Sequence, residues 1–360
     1  MEKRGFRVHL TNVQGLGGIQ LVKSLLAAMD GRPGVELREA YLPAAGELAD
    51  FQSRSRVARL VHYRRGLPNG LSRILECLVL SRSFDGDTPL LVLGDLPLRC
   101  EGKQILFLQN RFLLDGDSSS TLLFLLKTLV SRVIFALNKR RAAYFIVQTE
   151  LMKSALLKKY SLHAAQVGVI GQPPPDWLLA SGLRRAAASA RRGGALNLMY
   201  PADGYPHKNH KLLSRINSAD SGDWKIAKLT LTVAAKHNPN PALPWLECVG
   251  VQSTAEVLRR YATTDGLVFL SKKESYGLPL VEAMWIGLPI VCADLPYARI
   301  LCGDGAIYFD PDDVKSLRRA INVLHDRLDS GWWPDWSRQL AAVPKSWDDV
   351  ASSVLTAMFR

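Results

Sequence analysis

The chain alternates short, nearly continuous apolar runs with stretches of helical periodicity, and it does so twice. Phe6–Leu10, Leu90–Gly94, Gln104–Leu108, Tyr144–Val147 and Val167–Ile170 read as strands. A glycine turn at Gly15, Gly17 and Gly18 follows the first of them. A helix over Ile19–Met29 comes next, with apolar positions at Leu21, Leu25, Leu26 and Met29. Another helix starts near Thr149. Strands that are apolar on both faces need cover on both, and strand–turn–helix order supplies it in a parallel α/β sheet. A second series follows: Leu196–Tyr200, Leu229–Val233, Leu246–Val249, Leu267–Leu270, Pro289–Cys292 and Ala306–Phe309. Between the two series lie Pro173-Pro174-Pro175 and an Ala/Arg/Gly-rich run that ends at Gly194.

The fold class expected is therefore α/β, with two Rossmann-like domains. The boundaries are an N-terminal domain over 1–172, a linker over 173–194, a C-terminal domain over 195–340 and a C-terminal helix over 341–360. Two doubly wound halves are expected to face each other across a cleft at the carboxyl ends of their strands. Trp332, Trp333, Trp336 and Trp347 give the tail surface to bury, and it is expected to pack across the domain junction.

Composition narrows the class. Hydrophobic residues make up 48% of the 360, enough for a core and too many for wholesale disorder. The five cysteines form no CxxC pair, against a disulfide scaffold or zinc ribbon and in keeping with a reducing compartment. No apolar run is long enough for a spanning helix. The basic start lacks the apolar segment of a signal peptide, because Thr11, Asn12 and Gln14 interrupt it. The expectation is a cytoplasmic protein.

The net charge of +13 is unevenly placed. Residues 1–175 carry 24 Lys and Arg against 14 Asp and Glu, and residues 176–360 carry 22 against 19. An anionic partner for the first half is one reading, and a merely soluble basic surface is the other. Three stretches concentrate the charge: Gln52–Gly66, Thr121–Arg141, and a helix with Lys153, Lys158 and Lys159. Basic amphipathic helices can lie in an anionic headgroup layer, so a peripheral position on the inner membrane face is expected. The other reading is core helices with solvated basic faces. No nucleic-acid module is recognisable, and none is expected as a partner.

The strongest chemical signal runs from Glu274 through Ser275, Tyr276, Gly277, Leu278 and Pro279 to Glu282. Glu274 would stand in the loop leaving the strand that ends near Ser271. Gly277 lets backbone approach a ligand, and the amides of Gly277 and Leu278 at a helix start form a phosphate seat. Glu282, in the first turns, is placed to accept hydrogen bonds from ribose hydroxyls.

Two glutamates seven residues apart around Gly-Leu-Pro resemble the signature of the retaining family-four glycosyltransferases of GT-B architecture, among them enzymes of surface-polysaccharide and lipopolysaccharide synthesis. The resemblance extends upstream through Trp245–Ser271, and downstream through Cys292-Ala-Asp-Leu-Pro and Gly303-Asp-Gly-Ala-Ile-Tyr-Phe-Asp-Pro. Tyr200–Leu213 is similar to the opening of the family's donor domain. The match spans about 190–350 and is looser in the first half, where it rests on Gly15–Gly18 and Phe145–Lys153.

By resemblance, Lys208 neutralises the donor diphosphate, Glu274 contacts the transferred sugar, and Glu282 binds ribose. Ser275, Tyr276, Gly277 and Leu278 line the donor, and Gly17 and Gly18 stand near phosphate or acceptor. There are two departures. Ala202 occupies a position often held by Arg, with His207 or Arg111 as substitutes, and Gln109-Asn110-Arg111 stands where a His is common.

The implied function is retaining transfer of a sugar from a nucleotide-diphospho-sugar to a lipid-linked or membrane-proximal glycan acceptor, with no metal and no cofactor. The alternatives are a binding protein with a dead site and a nucleotide-sugar epimerase on the same fold. Asp85-Gly-Asp87 and Asp115-Gly-Asp117 mimic a metal-binding Asp-x-Asp but read as turns.

Overall fold

The computed structural model describes residues 3–13, 15–67, 69–79, 82–115, 122–187 and 193–360, apart from the side chain of Leu123. The first of two parallel sheets contains β1 (Arg4–His9), β2 (Val35–Pro43), β3 (Arg59–Tyr63), β4 (Leu90–Val92), β5 (Gln104–Phe107), β6 (Ala142–Val147) and β7 (Val167–Val169). Their order is β3-β2-β1-β4-β5-β6-β7. The second holds β8 (Leu196–Tyr200), β9 (Ile226–Leu231), β10 (Leu246–Cys248), β11 (Gly266–Phe269), β12 (Ile290–Ala293) and β13 (Ile307–Phe309). Its order is β10-β9-β8-β11-β12-β13. Every neighbouring pair is parallel.

The helices are α1 (Leu16–Met29), α2 (Asn69–Leu78), α3 (Leu122–Asn138), α4 (Glu150–Tyr160), α5 (Asp176–Ser181) and α6 (Thr254–Thr263). They continue as α7 (Leu278–Ile286), α8 (Pro296–Cys302), α9 (Val314–Asp329), α10 (Ser337–Leu340) and α11 (Trp347–Phe359).

Both sheets are laid out from their first strand. The chain steps outward one way, from β1 to β3 and from β8 to β10. It then crosses to the other side at β4 and at β11. This reversal leaves a crevice at the carboxyl ends of β1 and β4, and another at those of β8 and β11. The central strands are covered on both faces: Phe6, Val8, Leu267, Val268 and Phe269 are fully buried, and β1 buries Arg7 and His9 beside them.

Two strands are absent from the sequence reading. β2 carries Glu36, Arg38 and Glu39 among its apolar residues, which breaks the run that marks a buried strand. Gln52–Gly66, read with the basic helices, instead contains the edge strand β3, whose exposed Arg59 and His62 stand among the half-buried Leu60, Val61 and Tyr63. An edge strand is half exposed, and polar residues at its solvent positions are what such a place selects.

The chain divides into two units, Met1–Pro173 with Pro344–Arg360, and Pro174–Val343. The segment expected as a linker is largely part of the second unit. It includes α5, and Arg185 N donates to Ile286 O at 2.6 Å. Residues 188–192, with Arg191 and Arg192, lie outside the described residues. The tail also divides. α11 packs on α1, and the Arg32 guanidinium donates to Asp348 O at 2.7 Å and Ser352 Oγ at 2.6 Å.

Trp336 is buried in the second unit, its indole N–H donating to Leu288 O at 2.9 Å. A Cβ at Gly305 would collide with that ring. Gly305→Ala is therefore expected to destabilise the protein by about 1–3 kcal/mol, read as a lower midpoint in thermal or urea unfolding. An unchanged midpoint would mean the indole is free to shift.

Candidate active site

The second unit gathers its chemistry at the crevice between β8 and β11. After β8 the chain runs through Ala202, whose N–H donates to Thr232 Oγ1 at 2.8 Å. It then makes a short 3-10 turn at Pro206–Lys208. Asn209 ends that turn in the left-handed region (φ 58°), and its Nδ2 donates to Pro311 O at 2.9 Å. Tyr200 closes the turn from beneath, its hydroxyl donating to Lys208 O at 2.8 Å.

The loop leaving β11 is tied to the same turn. Lys272 N–H and the Ser271 hydroxyl both donate to His207 O, at 2.8 and 3.2 Å. Tyr297 from α8 donates to Ser271 O at 2.5 Å. Burial, and then the Glu274 charge, push the phenols of Tyr200 and Tyr297 well above their usual range, so both stay neutral donors.

These ties bring Lys208 and Glu274 together from 66 positions apart in sequence. Lys208 Nζ lies 2.6 Å from Glu274 Oε1, with side-chain exposures of 14% and 11%. Nζ is also 5.8 Å from the Phe269 ring centroid. The pair is largely desolvated, with a small part of each side chain still exposed. Such a setting strengthens electrostatic interaction with an incoming anion. His210 nearby is a neutral ring: burial first, then the Lys208 charge, lower it to about 4.

Ser275 and the buried Tyr276 lead into α7. Gly277 is its N-cap, at φ +94°, where a side chain is strained; a Cβ there would stand 3.2 Å from Leu301 Cδ1. Leu278 and Pro279 form the first turn, and Leu280 N–H turns back to Gly277 O at 2.9 Å. A glycine-started helix at a strand end presents backbone amides and a positive dipole end to anions.

Glu282, one turn further, faces inward rather than outward. It is 8% exposed and accepts a hydrogen bond from the Tyr261 hydroxyl of α6 at 2.8 Å. Burial raises its carboxyl from the usual range to about 7, against the opposing effect of the Tyr261 bond.

Gly17 and Gly18 lie in the first unit, inside the first turn of α1, which starts at Leu16 rather than at Ile19. Gly15 is the N-cap there, at φ +84°. Gly17 is open, whereas a Cβ on Gly18 would meet Gln109 Oε1 at 3.2 Å. The carboxylate of Asp95, after β4, accepts the N–H groups of Gln109 and Asn110 at 2.8 and 3.1 Å. Arg111 is turned onto Asp115, at 2.7 Å.

Beside this turn is a buried polar group that the sequence reading missed. Arg65 bonds Glu76 at 2.8 Å, Asn12 Oδ1 at 2.6 Å and Thr11 Oγ1 at 2.9 Å, and Thr11 in turn meets His9 Nε2 at 3.1 Å. The bonds of Tyr261, Tyr200, Ser271 and Tyr297 are likewise not announced by the sequence, since each reaches a residue outside its own element. Asp85 stands in a turn, its carboxylate accepting Glu101 N–H at 2.7 Å, while Arg7 bonds the carbonyls of Asp85 and Gly86. Asp117 lies outside the described residues.

Comparison with known proteins matches residues 245–328 to the family described as Glycosyl transferases group 1. Over 115 residues the chain is 28% identical to the O-antigen chain mannosyltransferase B of Escherichia coli, covering 31% of this chain and 30% of that protein. It is 27% identical over 138 residues to the serotype-specific mannosyltransferase WbdA of Escherichia coli, covering 36% of this chain and 16% of that one. The matches thus span less than a third of either relative's length. Among solved structures, WaaG, a glycosyltransferase involved in lipopolysaccharide biosynthesis, superimposes with a TM-score of 0.63 at 11% identity, over 98% of this chain and 99% of that one. The fold is GT-B.

Proposed function

We propose that this chain, whose residues 245–328 are a Glycosyl transferases group 1 domain, moves a sugar from a nucleotide-diphospho-sugar to a glycan acceptor of O-antigen or lipopolysaccharide type. The relatives' names make a mannosyl group the first sugar to test. The observation that carries the reading is the Lys208–Glu274 pair beside a glycine-started helix at the β8–β11 crossover.

In this reading the diphosphate lies on the α7 start and draws on the Lys208 cation, while Glu274 holds Lys208 in place and meets the sugar. Glu282 meets the ribose. The bond from the anomeric carbon to the phosphate oxygen breaks, and the acceptor oxygen bonds that carbon from the same face. The acceptor proton passes to the leaving diphosphate, which serves as its own base, so anomeric configuration is retained. The residues' task is to stabilise charge that grows on the leaving group. No metal enters this scheme. The acceptor is lipid-linked or held near a membrane.

The test is a thermal-shift panel with UDP, GDP, ADP and CMP and their common sugars, run on the wild type and on Lys208→Ala. One nucleotide is expected to raise the midpoint, and the variant to lose that rise. A rise that survives in Lys208→Ala would remove the lysine from the diphosphate site. No rise with any of them would favour a site without donor chemistry.

A further inference from the structure

Among the described residues, eighteen large apolar side chains are exposed, and twelve of them lie within 67–79 and 122–137. That concentration is far from the scatter a soluble surface shows. On α3, Leu122, Leu126, Leu129, Val133 and Leu137 follow the i, i+4, i+7, i+11, i+15 spacing of one helix face, and Leu122 is 83% exposed. The opposite face supplies Ile134 and Phe135 to the core. On α2, Leu71, Leu75 and Leu78 repeat the pattern. The two helices pack against each other.

The charge on α3 and the turn after it has one sign. Residues 122–141 contain Lys127, Arg132, Lys139, Arg140 and Arg141 and no carboxylate. Arg132 is occupied with Phe112 O at 2.7 Å, but Lys127, Arg140 and Arg141 are exposed. The carboxylate of α2, Glu76, is buried against Arg65. A cavity of about 300 Å³ opens at the edge of the face, with Arg64 and Arg65 on its polar side and Leu67, Leu75 and Val79 on its apolar side. Apolar surface rimmed by cations is the complement of an anionic lipid monolayer. A symmetric second copy would bring these same cations together with no carboxylate to meet them.

We infer that the outer faces of α2 and α3 are the surface by which the protein seats itself in an anionic lipid monolayer, leucines in the acyl boundary and Lys127, Arg140 and Arg141 at headgroup level. This deepens the reading of a membrane-proximal acceptor and, within Gln52–Gly66, moves the contact away from β3. Arg59 there is already paired with Glu39 at 3.2 Å.

The test is co-sedimentation with two vesicle types, pure phosphatidylcholine and a mixture with about one third phosphatidylglycerol. The wild type is expected to bind the anionic vesicles. Leu126→Glu with Val133→Glu should weaken that binding roughly tenfold or more, and Lys127→Glu with Arg140→Glu severalfold. Both variants change exposed positions and should melt like the wild type. Vesicle binding needs no turnover, so its failure leaves the transferase reading standing, and loss of the nucleotide shift leaves this one standing. The inference is overturned if the wild type ignores anionic vesicles or if the leucine variant binds them undiminished. It is equally overturned if light scattering shows a dimer that the leucine variant dissociates, because a second copy would then cover the face.

Discussion

Lys208→Met is expected to lower turnover by about a hundred- to a thousandfold, the usual loss when one preorganised charge partner of a developing anion is removed. Nζ is the group at stake, held 2.6 Å from Glu274 in a largely enclosed corner of the β8–β11 crevice. The variant also strips Glu274 of its cation while leaving the carboxylate 11% exposed, which costs stability. Adding Glu274→Gln should return part of that stability and none of the turnover. The double-mutant cycle thus separates folding from chemistry. Steady-state rates on single and double variants, beside their melting midpoints, are the measurement. Near-wild-type turnover in Lys208→Met would end the diphosphate assignment.

The second large effect belongs to Glu282 and is read against pH. Its carboxyl titrates near 7 in the folded protein and near 4.5 as a free side chain. The folded state therefore binds the extra proton between those values. Stability attached to this group is fully present below about pH 4.5 and is lost as pH rises through 7. The loss amounts to at most about 3 kcal/mol. Glu282→Gln keeps an acceptor for Tyr261 and removes the titration. It should match the wild type near pH 5 and melt several degrees above it near pH 8.

Donor affinity is expected to move the other way. An ionised Glu282 is the stronger acceptor for ribose hydroxyls, so wild-type affinity should rise between pH 6 and 8. Glu282→Gln should bind donor more weakly, with no such rise. Calorimetric titration at the two pH values decides it. A flat wild-type profile with unchanged affinity in the variant would put Glu282 outside the donor site.

Much of this molecule is legible in its sequence. The apolar runs at Leu196–Tyr200 and Leu267–Leu270 are β8 and β11, because a strand covered on both faces gives nearly every position to apolar residues, Asn197 being the exposed exception. Gly277 before Leu278-Pro279 marked a helix start, and it took the left-handed conformation that glycine allows. β2 and β3 were lost because a sheet margin tolerates the charges of Glu36, Arg38 and Arg59, which erase the apolar run. Glu282 was read as open to ribose, and nothing in its spacing announces Tyr261, which is 21 positions away on another helix.

The alternation of most strands and helices and the glycine-started helix follow from the sequence alone, because each depends on neighbours within a few residues, while the lysine and the two glutamates follow from the family resemblance. Three things were decided only by tertiary structure. The β10-β9-β8-β11 order sets two strand ends side by side, and that closes the distance between Lys208 and Glu274. The tertiary fold buries Glu282 where the Tyr261 hydroxyl of α6 reaches it, and burial lifts its carboxyl toward 7, since a charge without water is costly. And α3, apolar on two sides in sequence, had to place one side on the core. Helical periodicity does not say which, and only the packed sheet left Leu122, Leu126 and Leu137 facing out.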